Sequence, residues 1–330
     1  MELAYLKRIK LAHLPTPIQK LETYSEEYDT NIWIKRDDLT DSVSSGNKIR
    51  KLEFSLARAK EQGAHVIITC GGIQSNHCRA TAILGAKLGF KVHLVLRGEQ
   101  PEKVDGNLFL DHLAGAEISY FSPRYFNARL DFIVQEISDE YREEGNSPYF
   151  IPTGASDGTG VWGYINAAKE IAEQEKELGV DFDTIVCATG SGGTQAGLTA
   201  GSILYGLESK VLGFAVCDDD EYFMKKVRRD ILDWKQLYRL DFDLRDLTIN
   251  VNDKYIGPGY AKATPEVFST IEQAMRKEGL GLDPVYTGKA FHGLLQELKE
   301  GNLETDNVLF VHTGGIFGLM AQQEKYLKQR

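Results

Sequence analysis

At 330 residues, with 42% hydrophobic and 26% charged side chains, the chain has a globular composition and a length that suits two domains or one large, elaborated α/β domain. A net charge of −10 argues against a general nucleic-acid or anionic-membrane surface, which needs clustered positive charge, but leaves room for a small anionic ligand in a local pocket. Cys70, Cys78, Cys187 and Cys217 stand far apart with no Cys-x-x-Cys pair, so neither a disulfide framework nor a structural metal site is expected.

The stretch from Met1 to Pro17 has only short apolar runs, broken by Lys7, Arg8 and Lys10, and does not read as a signal peptide. No apolar run approaches a membrane span, and a reducing cytoplasm is the expected compartment. Trp33-Ile34-Lys35 reads as a strand entering the polar turn Arg36-Asp37-Asp38, and small residues lead on to Lys48 at the start of a helix. Val66 to Cys70 reads as a short buried strand, Gly71 to His77 as its turn, and Ser75 to Leu88 as an amphipathic helix. Strands follow at Val92 to Leu96, Ile118 to Phe121, Pro148 to Ile151, Thr184 to Ala188, Val211 to Val216 and Val308 to His312. Helical patterns fill the gaps, notably Gly163 to Glu177 and Thr264 to Glu278, and residues 218–253 read as surface helix plus connector. This alternation marks an α/β fold of mostly parallel sheets flanked by helices, in one doubly wound domain or in two. The small-residue stretch Pro152 to Gly160 suits a hinge or domain crossing.

Several turns carry candidate chemistry. Lys48, in Ser44-Ser45-Gly46-Asn47-Lys48, could be a solvated surface lysine; the helix start and the neighbouring Arg50 and Lys51 would instead disfavour its charged form, as a Schiff-base amine requires. In Gly190-Ser191-Gly192-Gly193-Thr194 the glycines let backbone N–H groups converge at a helix N-terminus, an arrangement that attracts phosphate. The loop lacks the Gly-Lys-Ser/Thr of a P-loop. Gln195 stands where a dinucleotide fingerprint needs its third glycine, although Asp218 beyond the next strand would suit such a site. A plain tight turn is the remaining alternative. Ser75 can serve as a simple N-cap, yet Gln74, Asn76 and His77 exceed what a cap needs, and the group can receive a substrate carboxylate. Taken singly, Tyr260 and Tyr286 in their Gly/Pro turns read as packing residues, and His312 as a core histidine.

Together these segments resemble the pyridoxal-phosphate enzymes of fold type II, with the tryptophan synthase β-like fold, and within them the aminocyclopropane-carboxylate deaminase and D-cysteine desulfhydrase family. The carrying segments are Pro15 to Pro17, Ile34 to Asp38, Gly46 to Glu53, Gly71 to His77, the 190–194 loop, Gly257 to Tyr260, Asp283 to Tyr286 and His312 to Gly315, which keep the family's order across nearly the whole chain. The resemblance implies pyridoxal 5'-phosphate held between a larger domain, residues 1–51 and 160–330, and a smaller inserted domain, residues 52–159. It implies Lys48 as the Schiff-base lysine, Asn76 at the cofactor's phenolic oxygen, and Gly190, Ser191, Gly192, Gly193 and Thr194 as the phosphate cup. Ser75 would help bind the substrate carboxylate and assist proton transfer, with Gln74, Asn76 and His77 beside it, and Tyr260 and Tyr286 would be the active-site tyrosines. A homodimer acting on a small amino acid is expected, with no metal.

Two positions divide the family. Its deaminases carry glutamate after Asp-Pro-Val-Tyr and leucine after the C-terminal histidine, whereas this chain has Thr287 and Thr313, as the desulfhydrase branch does. A carboxylate keeps the pyridine nitrogen protonated and the ring a strong electron sink, useful for opening a cyclopropane; a neutral hydroxyl makes a weaker sink that suffices when a good β-leaving group departs. The expected reaction is therefore β-elimination from D-cysteine to pyruvate, sulfide and ammonia, with the freed Lys48 amine or a tyrosine removing the Cα proton. L-cysteate sulfo-lyase or another β-substituted-alanine lyase is the alternative, and aminocyclopropane-carboxylate deamination ranks behind both. From other classes, a non-catalytic binding protein is opposed by the intact Lys48, and a nicotinamide dehydrogenase by the missing third glycine. Cys70 and Cys78, or Trp162 and Tyr164, could narrow the pocket mouth or merely pack.

Overall fold

The structure, a computed structural model, describes residues 6–245 and 247–328; residues 1–5, which open the N-terminal stretch read above, and residues 246, 329 and 330 lie outside the described residues. In chain order the elements are β1 (Ile18–Lys20), α1 (Glu22–Tyr28), β2 (Asn31–Lys35), α2 (Asn47–Glu61), β3 (Val66–Gly72), α3 (Asn76–Lys87), β4 (Lys91–Arg97), α4 (Gly106–Leu113), β5 (Glu117–Phe121), α5 (Pro123–Glu143) and β6 (Pro148–Ile151). The second half adds α6 (Val161–Leu178), β7 (Thr184–Thr189), α7 (Gly193–Tyr205), β8 (Lys210–Ala215), α8 (Asp220–Leu237), β9 (Asn250–Asn252), α9 (Pro265–Glu278), α10 (Thr287–Lys299), β10 (Asn307–Val311), α11 (Ile316–Met320) and α12 (Gln323–Leu327). Every strand read from the sequence appears within two residues at each end. The three-residue strands β1 and β9 carry too short a pattern to be read.

Two sheets result, one in the order β1-β2-β10-β7-β8-β9 and one in the order β5-β4-β3-β6. All pairings are parallel except β1 with β2. The fold is thus α/β, with two mostly parallel sheets flanked by helices. Parallel strands covered on both faces read as continuous apolar runs, and Val66, Ile67, Ile68 and Cys70 of β3 are all fully buried. Each such aliphatic side chain contributes roughly 1.5–3 kcal/mol on burial.

Helices α6 and α7 approach closely because α7 presents glycine at the crossing: a Cβ on Gly197 would stand 2.4 Å from the Tyr164 Cβ, and one on Gly201 would stand 2.5 Å from that of Ala168. That contact seats the helix that begins at the glycine-rich loop. A buried ionic cluster ties the N-terminal segment and α2 to α6. Arg50 grips Asp37 through two 2.8 Å bonds and reaches Glu170 at 3.0 Å, while Tyr164 donates to Asp37 at 2.6 Å and Lys35 pairs with Glu170. Burial alone would raise the Asp37 carboxyl, but the Arg50 guanidinium outweighs it and holds Asp37 ionised, below its ordinary value. No helix among the described residues is long and apolar enough to cross a membrane.

Candidate active site

In parallel sheets, ligands gather at the carboxyl ends of the strands. Here the turns after β3, β7, β8 and β10, the end of β4 and the start of α2 enclose one cleft of about 330 Å³. It gathers Lys48, Ser75, Asn76, His77, Gly190, Ser191, Gly192, Thr194, Tyr260, Tyr286 and Thr313 from segments spread over the chain. Gly193 borders it as the first residue of α7. Gln74 and Thr287 are not in its lining.

Lys48 is fixed from both sides. Gly46, with φ +101°, allows the chain to pass so near the C-terminal turn that a Cβ there would lie 2.6 Å from the Thr313 carbonyl oxygen. Asn47 then donates its backbone N–H to that carbonyl (3.1 Å) and its side-chain amide to the Thr194 hydroxyl (2.9 Å), so Lys48 opens only onto the cleft. Desolvation by the walls pushes its ammonium down to about 8; the Asp283 carboxylate opposes this and the Arg79 charge reinforces it. The expectation that Arg50 and Lys51 would do this is corrected: Arg50 turns away to Asp37 and Glu170, and burial is the main cause.

The loop after β7 is an anion cradle. Gly192, with φ +87°, turns the chain so that α7 starts at the cleft, and the Gly193 N–H points to the Ser156 hydroxyl at 3.2 Å. The Ser156 and Ser191 hydroxyls meet at 2.8 Å. A Cβ on Gly193 would lie 2.6 Å from the Ser156 oxygen and 2.9 Å from the Lys51 Nζ, so Lys51 stands directly behind the loop. Its amine is fully buried, and burial together with the Lys48 charge lowers its pKa far below the ordinary lysine value. Hydroxyls, the N–H groups at the start of α7 and an amine lacking an anion form the donor set that a phosphate monoester completes. With Lys48 across the cleft, the residues present fit both ends of pyridoxal phosphate. The sequence reading missed Lys51 and Ser156. Ser156 lay within the hinge segment, and only folding sets it against a loop 35 residues later.

On the opposite wall α3 is capped by Ser75, whose hydroxyl accepts the Cys78 N–H at 3.1 Å and lines the cleft. The Asn76 Oδ1 accepts from Asn107 Nδ2 (3.0 Å) and Arg79 Nη1 (3.4 Å). Two donors on that oxygen orient the amide and leave its NH₂ to face the cleft as a donor. Gln74 supports this arrangement from outside. Its amide bonds Asp105, accepts the Asn107 N–H at 2.8 Å and is spent there, which removes it from the expected substrate-binding set. His77 does line the cleft. Thr69 donates to the Ile151 carbonyl and therefore accepts from His77 Nε2 at 2.8 Å, and burial drives the His77 pKa well down, so it is a neutral ring and no cationic carboxylate receptor.

Tyr260 and Tyr286 join hydroxyl to hydroxyl at 2.7 Å, their rings edge-on at 6.0 Å. Burial raises both phenols. The Tyr286 hydrogen bond and the Arg97 charge offset part of the rise at Tyr260, whereas the contact with Tyr260 raises Tyr286 further, so Tyr260 ionises more readily. Of the two threonines, Thr313 lines the cleft. Thr287 is locked to Asp283: its hydroxyl donates to Oδ1 and accepts the Asp283 N–H, both at 2.8 Å. The Asp283 carboxylate also takes the N–H groups of Val285, Tyr286 and Thr287, so it caps the start of α10. The expected cofactor contact of Thr287 is therefore corrected to a structural one. His312 accepts the Gly314 N–H through Nδ1 and shapes the turn that carries Thr313. Trp162 stacks among Phe54, Trp234 and Tyr238, and Cys70 and Cys78 are buried outside the lining, so these side chains pack rather than narrow the mouth.

A fold of two parallel sheets with a lysine facing a phosphate cradle defines a pyridoxal-phosphate-dependent enzyme. The family model for pyridoxal-phosphate-dependent enzymes matches residues 9–314. A Thermotoga maritima protein, provisionally named 1-aminocyclopropane-1-carboxylate deaminase, is 45% identical over 96% of this chain and 99% of its own. The Arabidopsis thaliana bifunctional D-cysteine desulfhydrase/1-aminocyclopropane-1-carboxylate deaminase is 43% identical over 94% of this chain and 78% of its own. A crystal structure described as that of an ACC deaminase homologue superposes with a TM-score of 0.91 at 39% identity, covering 99% of this chain and 97% of the other. The chain belongs to the pyridoxal-phosphate-dependent enzymes of fold type II, in the aminocyclopropane-carboxylate deaminase/D-cysteine desulfhydrase family, and its cofactor is pyridoxal phosphate.

Proposed function

We propose that this enzyme is a carbon–sulfur lyase that eliminates sulfide from D-cysteine, giving pyruvate, sulfide and ammonia. The observation that carries this reading is the neutral Thr313 hydroxyl in the cleft, with the nearby Asp283 carboxylate consumed as a helix cap. The bound cofactor supplies an electron sink that makes the Cα–H bond of an amino acid breakable. Lys48 would hold it covalently, Asn76 would donate to its phenolic oxygen, and Ser191, Thr194, the Gly193 N–H and Lys51 would hold its phosphate.

The chain's own groups account for the proton movements. With a pKa near 8, the Lys48 Nζ has a neutral form within reach of physiological pH and can take the Cα proton. Ser75 and the first N–H groups of α3 face the cleft to receive the substrate carboxylate. As the Cβ–S bond breaks, its electron pair leaves on sulfur and a double bond forms between Cα and Cβ. The Tyr260 hydroxyl, backed by Tyr286, offers the departing sulfur a proton. The released enamine hydrolyses in water to pyruvate and ammonia.

Deamination of aminocyclopropane carboxylate is the second reading, favoured by the names of the relatives above. Incubation with D-cysteine, L-cysteine and aminocyclopropane carboxylate separates them. Sulfide from D-cysteine, with little 2-oxobutyrate from the cyclopropane, is expected; 2-oxobutyrate as the dominant product would overturn the assignment.

A further inference from the structure

Arg97 is the last residue of β4, paired in register with Gly72 at the end of β3, and it lines the cleft. Its guanidinium lies 5.5 Å from the Tyr260 ring centroid and 5.9 Å from that of Phe126. Two rings within cation–π distance hold a guanidinium in place without using its N–H donors. Among the described residues, Arg97 forms no side-chain hydrogen bond or ion pair, not even with Asp218, the one carboxylate in the lining there. Gly72 keeps this corner open, because a Cβ there would already touch the Tyr260 ring at 3.5 Å.

The cleft therefore has two separate places for substrate anions. The start of α3 serves the α-carboxylate, and Arg97 stands beside Tyr260, the phenol that faces the departing group. Arginine stays charged at any relevant pH, and its forked donors match a thiolate, carboxylate or sulfonate edge. We propose that Arg97 receives a negatively charged substituent on the substrate's Cβ, so that the enzyme prefers three-carbon amino acids whose leaving group is anionic, the cysteine thiolate and sulfonates among them. This rests on the lyase reading above and adds to it the class of leaving group.

Cysteate and alanine differ only by the sulfonate, and binding of either to the holoenzyme can be followed by the change in its visible absorption immediately on mixing, before any elimination depletes the cysteate. Both enantiomers are titrated into wild type, Arg97→Gln and Arg97→Lys. In wild type, cysteate of at least one hand is expected to bind about tenfold or more tighter than the matching alanine, the scale of one charge-assisted contact. Arg97→Gln should erase that ratio and Arg97→Lys should keep part of it. Alanine affinity reports in each variant whether the site is intact, and an Arg97→Gln protein too unstable to titrate leaves the Lys variant's partial loss as the readout. A wild-type ratio near one, undetectable cysteate binding in either hand, or a ratio that neither variant changes overturns the proposal. Sulfide release from D-cysteine, measured alongside, tests the lyase reading separately.

Discussion

At the scale of the residue, what separates Lys48 from the chain's other lysines is where its amine can go. Ordinary lysines stay charged to beyond pH 10; Lys48 is held in a pocket whose walls lower it to about 8. The sign is fixed by burial disfavouring the cation, so the neutral, nucleophilic amine grows in as pH rises through about 8. The rate at which cofactor-free protein acquires its visible band on adding pyridoxal phosphate should therefore climb between about pH 7 and 9 and then level. A rate still climbing steeply above pH 10 would show an ordinary lysine. Lys48 was legible in the sequence only through the joint order of the motifs around it, because a lysine among small residues reads alone as a surface side chain. Lys51 was not legible, since what marks it is proximity to Gly154, Ser156 and Gly193, more than a hundred residues away. Thr287 was misjudged for a related reason: its motif was legible, but a hydroxyl four residues from an aspartate can close on that aspartate as readily as on a ligand.

At the scale of the element, the phosphate cradle is a helix start with no room for side chains. A methyl group on Gly193 would meet the Ser156 oxygen and the Lys51 Nζ inside contact distance. Gly193→Ala should fold, at a cost of roughly 1–3 kcal/mol for overpacking, and should bind pyridoxal phosphate at least tenfold more weakly. Fluorescence titration of cofactor-free protein checks this, and unchanged affinity would place the phosphate elsewhere. This element was readable because strand β7, its glycines and the following helix are contiguous. The wall opposite was only half readable. Ser75 proved to be both cap and cleft hydroxyl, while the orientation of Asn76 depends on Arg79 and Asn107, whose partners no local pattern reveals.

At the scale of the whole molecule, the architecture followed from the strand–helix rhythm because parallel strands buried on both faces must be apolar throughout. The cleft did not follow from that rhythm. It exists because two sheets bring the carboxyl ends of their strands together, with Arg97 and Tyr260 arriving from different sheets' surroundings to meet at one corner. In this arrangement one lysine, one anion cradle and a hydroxyl in place of a carboxylate should produce elimination. The most direct measurement is the stoichiometry of products from D-cysteine, with sulfide and pyruvate determined in the same reaction for wild type and Lys48→Ala. Equal amounts of the two from wild type and none from the variant are predicted; no sulfide from wild type, or sulfide without matching pyruvate, would contradict the account.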